Sequence, residues 1–343
     1  MPTVAEQPLI RVSGLTKHFA ARGGAARIVR AVQDVSFEIA PGETLGLVGE
    51  SGSGKSTTGR LLLRLIAATS GKFAFDGRDV FSLRHAEMRA LRRQMQIVFQ
   101  DPYGAFNPRM TVGRIIEEAL ELRDDLRGRE ARIAEVMRLL EVAQLSPDVR
   151  NRYPHEFSGG QRQRLGIARA LAVNPRFLVA DEPLSALDVS TQAEIINLFL
   201  LLQDRLGLTM LFISHDLSVV RILADRIAVM YGGRLLEMAD ADALFEKPLQ
   251  PYTQELLAAI PEPDPARAHR ELRTRRDEGD AGPAAAGCPF ANRCPHVMDV
   301  CRGQMPAMID YAPRLGKTRP HLAACHWVEQ ESGAPAQPGG GAS

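Results

Sequence analysis

The sequence GESGSGKS, at residues 49–56, constrains the fold of this chain more than any other feature. It fits the pattern G-x-x-x-x-G-K-[ST] and lies between an apolar run, TLGLV, and a segment with helical periodicity. Glycines let the backbone approach phosphate closely and direct its N–H groups at the oxygens, and the helix N-terminus adds a positive end. We therefore expect Lys55 to reach the β and γ phosphates of a nucleotide and Ser56 to ligate Mg²⁺. The structural alternative is a flexible Gly/Ser turn before a helix.

The other apolar runs predict an α/β fold. MQIVFQ, RFLVAD and TMLFIS are each bounded by polar or helical stretches, which is typical of parallel strands covered on both faces. We call residues 49–56 the P-loop. Before the P-loop, LIRVSGL and the alternation across residues 32–39 predict an antiparallel β subdomain. Helical periodicity dominates residues 112–145 and predicts an inserted helical subdomain at about residues 101–172. The predicted class is an α/β P-loop NTPase core with these two subdomains and a small Cys-rich C-terminal extension.

Composition along the chain predicts where the domains end. A nucleotide-binding domain is expected over residues 9–256. Residues 257–287 are rich in Pro, Ala and charge, which is typical of a linker. Residues 288–327 form the predicted Cys-rich extension, and residues 328–343 contain too little apolar surface to fold, so we expect a disordered tail.

Charge and hydropathy limit the partners. The 42 basic residues nearly balance the 41 acidic ones, so no global field attracts the chain to nucleic acid, and no nucleic-acid partner is expected. The N-terminal residues lack a charged leader followed by an apolar region, and no apolar run approaches the ~18 residues that a membrane helix needs. A cytoplasmic protein that can dock on a membrane protein is expected.

Acidic residues and a histidine follow two of the predicted strands. Asp181 could hold Mg²⁺ through water, and Glu182 could polarise an attacking water. An acidic pair after a strand is usually a solvated turn, but this pair follows a P-loop at a distance that a nucleotide fold allows. His215 follows TMLFIS, a run expected to neighbour FLVAD in a doubly wound sheet. We therefore expect His215 near the γ-phosphate rather than as a core or capping residue.

A second anion-binding element is predicted at Ser158-Gly159-Gly160-Gln161, which precedes an amphipathic helix. One ATP cannot occupy two such sites on a single domain. The economical explanation is a head-to-tail dimer in which the P-loop of one domain and the serine–glycine element of a partner clasp each ATP.

These motifs together carry a family resemblance. GESGSGKST, FQD, FSGGQRQR, FLVADEP, SALD and ISHD occur in this order, and residues 9–260 resemble the ATP-binding cassette (ABC) ATPases. The resemblance implies that Phe19 stacks on adenine, that Gln100 senses the γ-phosphate side, and that Asp188 contacts the partner across the dimer. It also implies that Glu182 is the general base and His215 the switch histidine.

The expected site residues fall into three sets. Those expected to bind ATP are Phe19, Gly49, Glu50, Ser51, Gly52, Ser53, Gly54, Lys55, Ser56, Thr57, Gln100, Ser158, Gly159, Gly160, Gln161, Asp181 and Asp188. Those expected to act in hydrolysis are Lys55, Gln100, Glu182 and His215. Those expected to hold Mg²⁺ are Ser56, Gln100 and Asp181.

A second resemblance is more restrictive. QDPYGAFNPRMTVGR, at residues 100–114, and the segments PLQPYTQELLAAIPEPDP, GCPFANRCPHVMDVCRGQMP and HLAACHW are similar to the oligopeptide/dipeptide/nickel importer ATPases of the OppF/DppF kind. This resemblance implies a peripheral ATPase on the cytoplasmic face of the cell membrane that powers peptide uptake. The implied partners are two membrane permease subunits, a paralogous ATPase subunit in a heterodimer and, indirectly, an extracytoplasmic solute-binding protein.

Two alternatives to peptide import remain open on the sequence. The ATPase of a nickel or other small-solute importer shares every motif above. A soluble, non-transport ABC ATPase usually pairs two cassettes in one chain or carries long insertions within the cassette, and neither feature is visible.

All four cysteines lie near the C-terminus, at Cys288, Cys294, Cys301 and Cys325. In a reducing compartment, clustered cysteines are more often metal ligands than disulfides. Their spacing matches neither common zinc ribbons nor ferredoxin runs. The resemblance implies a [4Fe–4S] cluster, with Zn²⁺ as the alternative metal and reduced cysteines packed as small apolar side chains as the alternative without one.

Overall fold

A computed structural model describes residues 7–20, 28–101, 103–260 and 286–331 of the protein. The strands are β1 Ile10–Ala20, β2 Ile28–Ile39, β3 Thr44–Val48, β4 Ser70–Phe75, β5 Arg78–Asp79, β6 Met95–Val98, β7 Phe177–Asp181, β8 Thr209–Ser214, β9 Arg226–Tyr231, β10 Arg234–Asp240, β11 Met308–Asp310 and β12 Leu322–Ala324. The helices are α1 Lys55–Leu62, α2 His85–Arg92, α3 Val112–Leu120, α4 Arg129–Val142, α5 Gly159–Leu171, α6 Val189–Leu206, α7 Leu217–Leu223, α8 Ala241–Glu246, α9 Pro251–Ala258, α10 Asp299–Gly303, α11 Ala312–Leu315 and α12 His326–Glu331. Short 3₁₀ turns occur at Tyr103–Ala105, Pro147–Asn151 and Pro154–Glu156.

The main sheet has eight strands in the order β11-β12-β10-β9-β3-β8-β7-β6. Its five strands from β9 to β6 are parallel, and the other pairs are antiparallel. Every residue of β3, β7 and β8 is buried, as expected for strands covered on both faces, and the predicted α/β class is confirmed. Because the parallel strands end at one edge, the residues that follow β3, β7 and β8 meet there.

The N-terminal residues form a separate antiparallel sheet in the order β2-β1-β4-β5. Its apolar face is buried in a core cluster shared with β3 and α1, to which Ile10, Phe37 and Phe73 belong. The predicted antiparallel β subdomain is therefore present. Strand β1 pairs with β2, and the chain continues from β2 through β3 to the P-loop.

Three helices, α3, α4 and α5, lie between β6 and β7, where the helical subdomain is predicted. Ile116 of α3, Leu140 of α4 and Leu165 of α5 are fully buried and belong to one apolar core. The segment between β6 and α3, which contains Gln100, connects this subdomain to the main sheet.

The C-terminal segment does not form a separate unit. Strands β11 and β12 extend the main sheet beyond β10, with Glu237 opposite Ala323. Phe290 and Cys301 belong to the main apolar core. The C-terminal extension alone has too little apolar core to fold unaided. In the structure, apolar residues of the extension are part of the core of the cassette.

Two predicted boundaries differ from the structure. Helix α12 reaches Glu331, so residues 328–331 of the predicted tail are helical, because Val328 is buried in a small cluster with Tyr311. Helix α9 reaches Ala258, one residue beyond the predicted start of the linker. The rest of the linker prediction over 261–285, and of the tail prediction over 332–343, lies outside the described residues.

Candidate active site

The P-loop has a backbone conformation that requires glycine at two positions. Gly49 has φ of 150° and Gly54 has φ of 106°. A Cβ at Gly49 would lie 2.0 Å from the Met230 carbonyl oxygen, and one at Gly54 would lie 2.2 Å from the Ala31 carbonyl oxygen. The loop is therefore held between two strands, and α1 begins directly after it at Lys55, one residue earlier than predicted.

Lys55 is buried within this loop. Its Nζ donates hydrogen bonds to the Gly49 carbonyl at 2.7 Å and the Glu50 carbonyl at 2.9 Å. Burial lowers the pKa of Lys55, and the nearby carboxylates of Glu182, Asp181 and Glu50 oppose that shift. The carboxylates thus favour the charged ammonium that a phosphate site needs.

Ser56 and Asp181 bring two oxygens together at the end of the loop. Ser56 Oγ donates to Asp181 Oδ1 at 2.6 Å, and Asp181 is only 3% exposed. Burial raises the pKa of Asp181, while the Ser56 hydrogen bond and the positive charge of Arg60 lower it. Hydroxyl and carboxylate oxygens are the ligands that Mg²⁺ prefers, so this pair fits the predicted metal.

Three predicted catalytic side chains surround the fourth, Glu182. Lys55 Nζ lies 4.0 Å from Glu182 Oε1, Gln100 Nε2 donates to Oε2 at 3.4 Å, and His215 Nδ1 lies 3.6 Å from Oε2. The structure thus places Gln100 against Glu182, whereas the proposed Mg²⁺ pair is Ser56 and Asp181. Glu182 itself has φ of 47°, a left-handed conformation that costs about 1–3 kcal/mol for a residue with a side chain.

The remaining P-loop residues have different environments. Ser51 and Gly52 form the exposed tip, and Thr57 is half-buried in the first turn of α1. The Ser53 hydroxyl is buried without a hydrogen-bond partner among the described residues. Phe19 lies on β1 with 39% of its surface exposed, and Lys17 Nζ is 4.8 Å from its ring centre.

The serine–glycine element forms the N-terminus of α5. Ser158 and Gln161 close a reciprocal capping box, in which each side chain accepts the backbone N–H of the other. Ser158, Gly159 and Gln161 are exposed, whereas Gly160 is buried. This leaves one polar end of a helix facing outward.

Asp188 lies beside that element. A Cβ at Gly159 would lie 3.3 Å from the Leu187 side chain, so α5 and the segment before α6 are in contact. The Asp188 carboxylate accepts hydrogen bonds from the Thr191 backbone N–H, the Thr191 hydroxyl and the Ser190 hydroxyl. These bonds lower the pKa of Asp188 to about 2. Within the chain, the exposed Asp188 caps α6.

Sequence reasoning missed two residues at the P-loop. The Glu50 backbone N–H donates to the Tyr252 hydroxyl at 2.9 Å, and Arg293 Nη1 donates to Glu50 Oε2 at 2.9 Å. Both residues are more than two hundred positions away in the chain. No local pattern signals these contacts; the only sequence signal is that both residues belong to the segments that resemble the importer ATPases.

The four cysteines are free thiols in the extension. Cys288, Cys301 and Cys325 are buried and Cys294 is partly buried. Burial raises the pKa of Cys288 to about 12 and that of Cys294 to about 11. The neighbouring thiols add to both shifts, so the cysteines lie close enough to interact.

The metal prediction for these cysteines receives no support from the geometry. The described part of the chain contains no group of three or more His, Cys, Asp or Glu side chains placed to hold a metal ion. Instead, Cys288 and Cys301 pack in the main apolar core, and the Cys288 N–H donates to the Cys301 carbonyl.

None of the helices in the described ranges has the length and apolarity to span a membrane.

Comparisons with known proteins agree with this geometry. The family described as ABC transporter matches residues 32–185, and the family described as oligopeptide/dipeptide transporter, C-terminal region, matches residues 236–301. A putative peptide import ATP-binding protein of Brucella ovis is 50% identical over 324 residues, which cover 94% of this chain and 98% of the relative. The chain belongs to the ABC transporter family. The predicted resemblance and the predicted ATPase activity coupled to transport are confirmed.

Other ABC proteins show the same likeness. The oligopeptide transport ATP-binding protein OppF of Bacillus subtilis is 52% identical over 272 residues, covering 79% of this chain and 88% of OppF. The ATP-binding cassette MJ0796, solved as a post-hydrolysis dimer with ADP and Pi, matches with a TM-score of 0.62 and 30% identity. That match covers 68% of this chain and 98% of the solved one.

Proposed function

We propose that this chain is the subunit of an ABC importer that hydrolyses ATP to power the uptake of di- or oligopeptides through membrane permeases. The observation that carries the ATPase part is the convergence of Lys55, Gln100 and His215 on Glu182, beside the pair of Ser56 and Asp181. The match to the oligopeptide/dipeptide transporter C-terminal region supports the peptide part.

Each side chain has a role that follows from its position. Glu182 accepts a proton from the attacking water, because it is the carboxylate at the end of β7 nearest the P-loop lysine. Gln100 and His215 each contact the same Glu182 oxygen and orient it towards that water. Lys55 leaves its carbonyl partners in the loop to bind the β and γ phosphates.

The oxygens of Ser56 and Asp181 would hold Mg²⁺. When bound, this ion neutralises charge on the phosphate oxygens. The fit rests on the 2.6 Å contact between a hydroxyl and a buried carboxylate. Such a carboxylate is more favourable beside a cation than alone, since burial raises its pKa.

A head-to-tail dimer completes the site in this proposal. The exposed residues Ser158, Gly159 and Gln161 lie near the exposed Asp188, so a partner chain could contact both at once. We propose a paralogous ATPase as the partner, so that each ATP lies between a P-loop and the element Ser158-Gly159-Gly160-Gln161. Binding of ATP closes the pair and loss of phosphate opens it.

The permeases would bind at a groove between the sheet and the helical subdomain. A cavity of about 390 Å³ lies there, lined by Phe106, by Leu122 after α3, and by the opposite charges of Glu118 and Arg169. Its apolar lining suits a helix of a membrane subunit. The groove includes part of the segment 100–114, so a bound permease would contact the loop that holds Gln100.

In this arrangement the domain division is a nucleotide-binding domain from residue 9 to Ala258 at the end of α9, a linker, and an extension from residue 288 to Glu331 at the end of α12. The chain would lie peripherally on the cytoplasmic face of the membrane, supplied with cargo by an extracytoplasmic solute-binding protein. Nickel or another small solute is the alternative cargo.

The four cysteines are the proposed ligands of a [4Fe–4S] cluster, with Zn²⁺ as the alternative. What supports this proposal is the resemblance of the cysteine segment to the importer ATPases rather than the geometry, since the described residues contain no group of three or more His, Cys, Asp or Glu side chains placed to hold a metal ion. Anaerobically purified protein should contain iron and sulfide; protein without iron, sulfide or zinc contradicts the proposal.

Transport by reconstituted vesicles tests the cargo. The chain is purified with its membrane partners and placed in proteoliposomes, with ATP on the side of the membrane that carries the ATPase subunits. Labelled di- or tripeptide, or nickel, is then added on the opposite side. We expect ATP-dependent uptake of peptide that stops with Glu182→Gln. Uptake of nickel alone contradicts the peptide assignment, and co-purification with ribosomes instead of permeases contradicts the importer.

A further inference from the structure

Arg293 connects the cysteine-containing extension to the P-loop. It lies one residue before Cys294, and its guanidinium forms two ion pairs in opposite directions. Nη1 donates to Glu50 Oε2 of the P-loop at 2.9 Å, and Nη2 donates to Glu255 on α9. One side chain of the extension therefore contacts both the nucleotide loop and the helix that precedes the linker.

Aromatic packing fixes the position of this arginine. Phe290 packs against Tyr231 and Tyr252 with ring centres 5.4 and 5.3 Å apart, and the two tyrosine rings are 4.6 Å apart. The Arg293 guanidinium lies 5.7 Å from the Tyr231 ring and 5.6 Å from the Phe290 ring. Tyr252 and Phe290 are at most 1% exposed, so the arginine lies against a buried aromatic cluster.

Glu50 is held from several sides by this arrangement. Its backbone N–H donates to the Tyr252 hydroxyl, its carbonyl accepts from Lys55, and its carboxylate pairs with Arg293. Two of these three contacts come from residues outside the P-loop. The conformation of the second residue of the loop thus depends on α9 and on the extension.

Charge gives the Arg293 contact a consequence for binding. A P-loop binds a polyanion, and an unpaired carboxylate at Glu50 would repel it. Arg293 neutralises that carboxylate, which is 37% exposed and so only partly screened by water. Removal of the arginine should weaken binding more for a nucleotide with more phosphates.

We infer that Arg293 is a positioning residue for nucleotide binding: it neutralises and orients Glu50, so ATP affinity depends on the extension being folded on the cassette. The inference rests on the proposed nucleotide site at the P-loop. The contacts of Arg293 are with Glu50 and Glu255 and with the aromatic rings, and not with Glu182 or His215, so we expect its effect on binding rather than on the hydrolysis step.

The test compares Arg293→Ala, Arg293→Lys and the unaltered chain. We expect Arg293→Ala to raise the Kd for ATP and the KM about three- to tenfold, with a smaller change for ADP, none for adenosine and nearly constant kcat. Arg293→Lys should recover part of the affinity, because a single positive charge remains. Full-length protein is used throughout.

A second substitution makes the inference specific to charge. If Arg293 acts by neutralising Glu50, then Glu50→Gln combined with Arg293→Ala should bind ATP more tightly than Arg293→Ala alone. Should Arg293→Ala fail to fold, Arg293→Gln with and without Glu50→Gln gives the same comparison. Additive losses in the double variant overturn the inference.

Two controls separate binding from folding. Lys317→Ala removes another ion pair between the extension and the cassette, with Glu246, away from the P-loop, and should leave ATP affinity unchanged. Trp327 is the single tryptophan and stacks on His296 at 3.9 Å, so its fluorescence reports whether the extension stays folded. Altered Trp327 emission in Arg293→Ala with equal loss of ATP and adenosine binding shows a structural role only and overturns the inference.

Lys55→Ala distinguishes the two levels of the proposal. If Lys55→Ala binds ATP normally, the proposed nucleotide site itself is wrong. If Lys55→Ala loses ATP while Arg293→Ala binds it as the unaltered chain does, only the inference about Arg293 is wrong.

Discussion

Glu182 shows how a single residue concentrates the chemistry. It lies directly after the fully buried strand β7, with a left-handed backbone at φ of 47°. Its backbone N–H donates to the Ile213 carbonyl of β8, which fixes the turn. Lys55, Gln100 and His215 then approach its carboxylate from three different elements. The strained turn is held by β7, which it follows, and by the hydrogen bond to β8.

Glu182→Gln should lower turnover by roughly 10²- to 10⁴-fold while ATP binding is retained, because the amide cannot accept the proton of the attacking water. Phosphate release and nucleotide affinity are measured on the same preparation. Glu38→Gln is the control, since the Glu38 side chain is exposed on the antiparallel sheet and pairs with Arg11. A Glu182→Gln rate near that of the unaltered protein would remove Glu182 from the role of base.

Asp188→Asn tests the effect of a lowered pKa on stability. The folded-state pKa of Asp188 is about 2, below its ordinary 3.8, so its stabilising effect is present above about pH 4 and is lost as pH falls towards 2. The asparagine can keep the cap of α6 but cannot titrate. The free energy of unfolding of the unaltered protein minus that of Asp188→Asn, measured with denaturant, should decrease as pH falls from about 4 to about 2. A difference that stays constant over this range would contradict the lowered pKa of Asp188.

At the scale of elements, the P-loop is a rigid connection between β3 and α1. Gly54 is the left-handed residue that precedes the helix, and it packs against the Ala31 carbonyl of β2. Gly52 also has a positive φ, of 79°, but its Cβ position is open. A comparison of alanine substitutions at Gly52 and Gly54 therefore distinguishes the effect of close packing from that of backbone conformation.

Gly54→Ala should destabilise the protein by more than Gly52→Ala, with about 1–3 kcal/mol of strain at each site and a steric clash at Gly54 alone. The clash displaces the loop, so we expect Gly54→Ala also to weaken ATP binding strongly. Thermal unfolding and ATP titration of both variants measure the difference. Equal behaviour of the two alanines would show that the contact with Ala31 is unimportant.

Sequence reasoning predicted the elements with the strongest local signals. The P-loop, the runs of β7 and β8 and the helix after Ser158 could be predicted because glycine pattern, apolar length and helical periodicity are local properties. The pairing of β12 with β10 could not, since three residues, Leu322–Ala324, carry too little pattern to identify a partner strand. The Arg293 to Glu50 contact was missed for a similar reason: it joins surface charges 243 positions apart.

In the proposed account, the whole molecule combines an ATPase site with an exposed face for a partner ATPase and a groove for a membrane partner. In that account the P-loop and the serine–glycine element of one chain bind different ATP molecules, so closure needs a second chain. The groove between α3 and α5 connects to Gln100 through the segment after β6. This arrangement would transmit ATP binding to a permease through the helical subdomain.

Leu122→Glu should weaken co-purification with permeases, because it adds a charge to an apolar residue of the groove that is 43% exposed. Basal ATP hydrolysis should be unchanged. Leu206→Glu is a matched control, since Leu206 is 53% exposed at the end of α6 and does not line the groove. Equal permease recovery with Leu122→Glu and Leu206→Glu would place the docking surface elsewhere.

The rate of ATP hydrolysis per chain, measured against protein concentration with molar mass followed by light scattering, tests the central claim most directly. If each ATP is shared between a P-loop and the Ser158 element of a partner, the rate per chain should approach zero on dilution to monomers. It should rise when the partner ATPase is added, and the rise should be lost when that partner carries a substitution at the equivalent of the serine–glycine element. A full, concentration-independent rate from monomers would contradict the account.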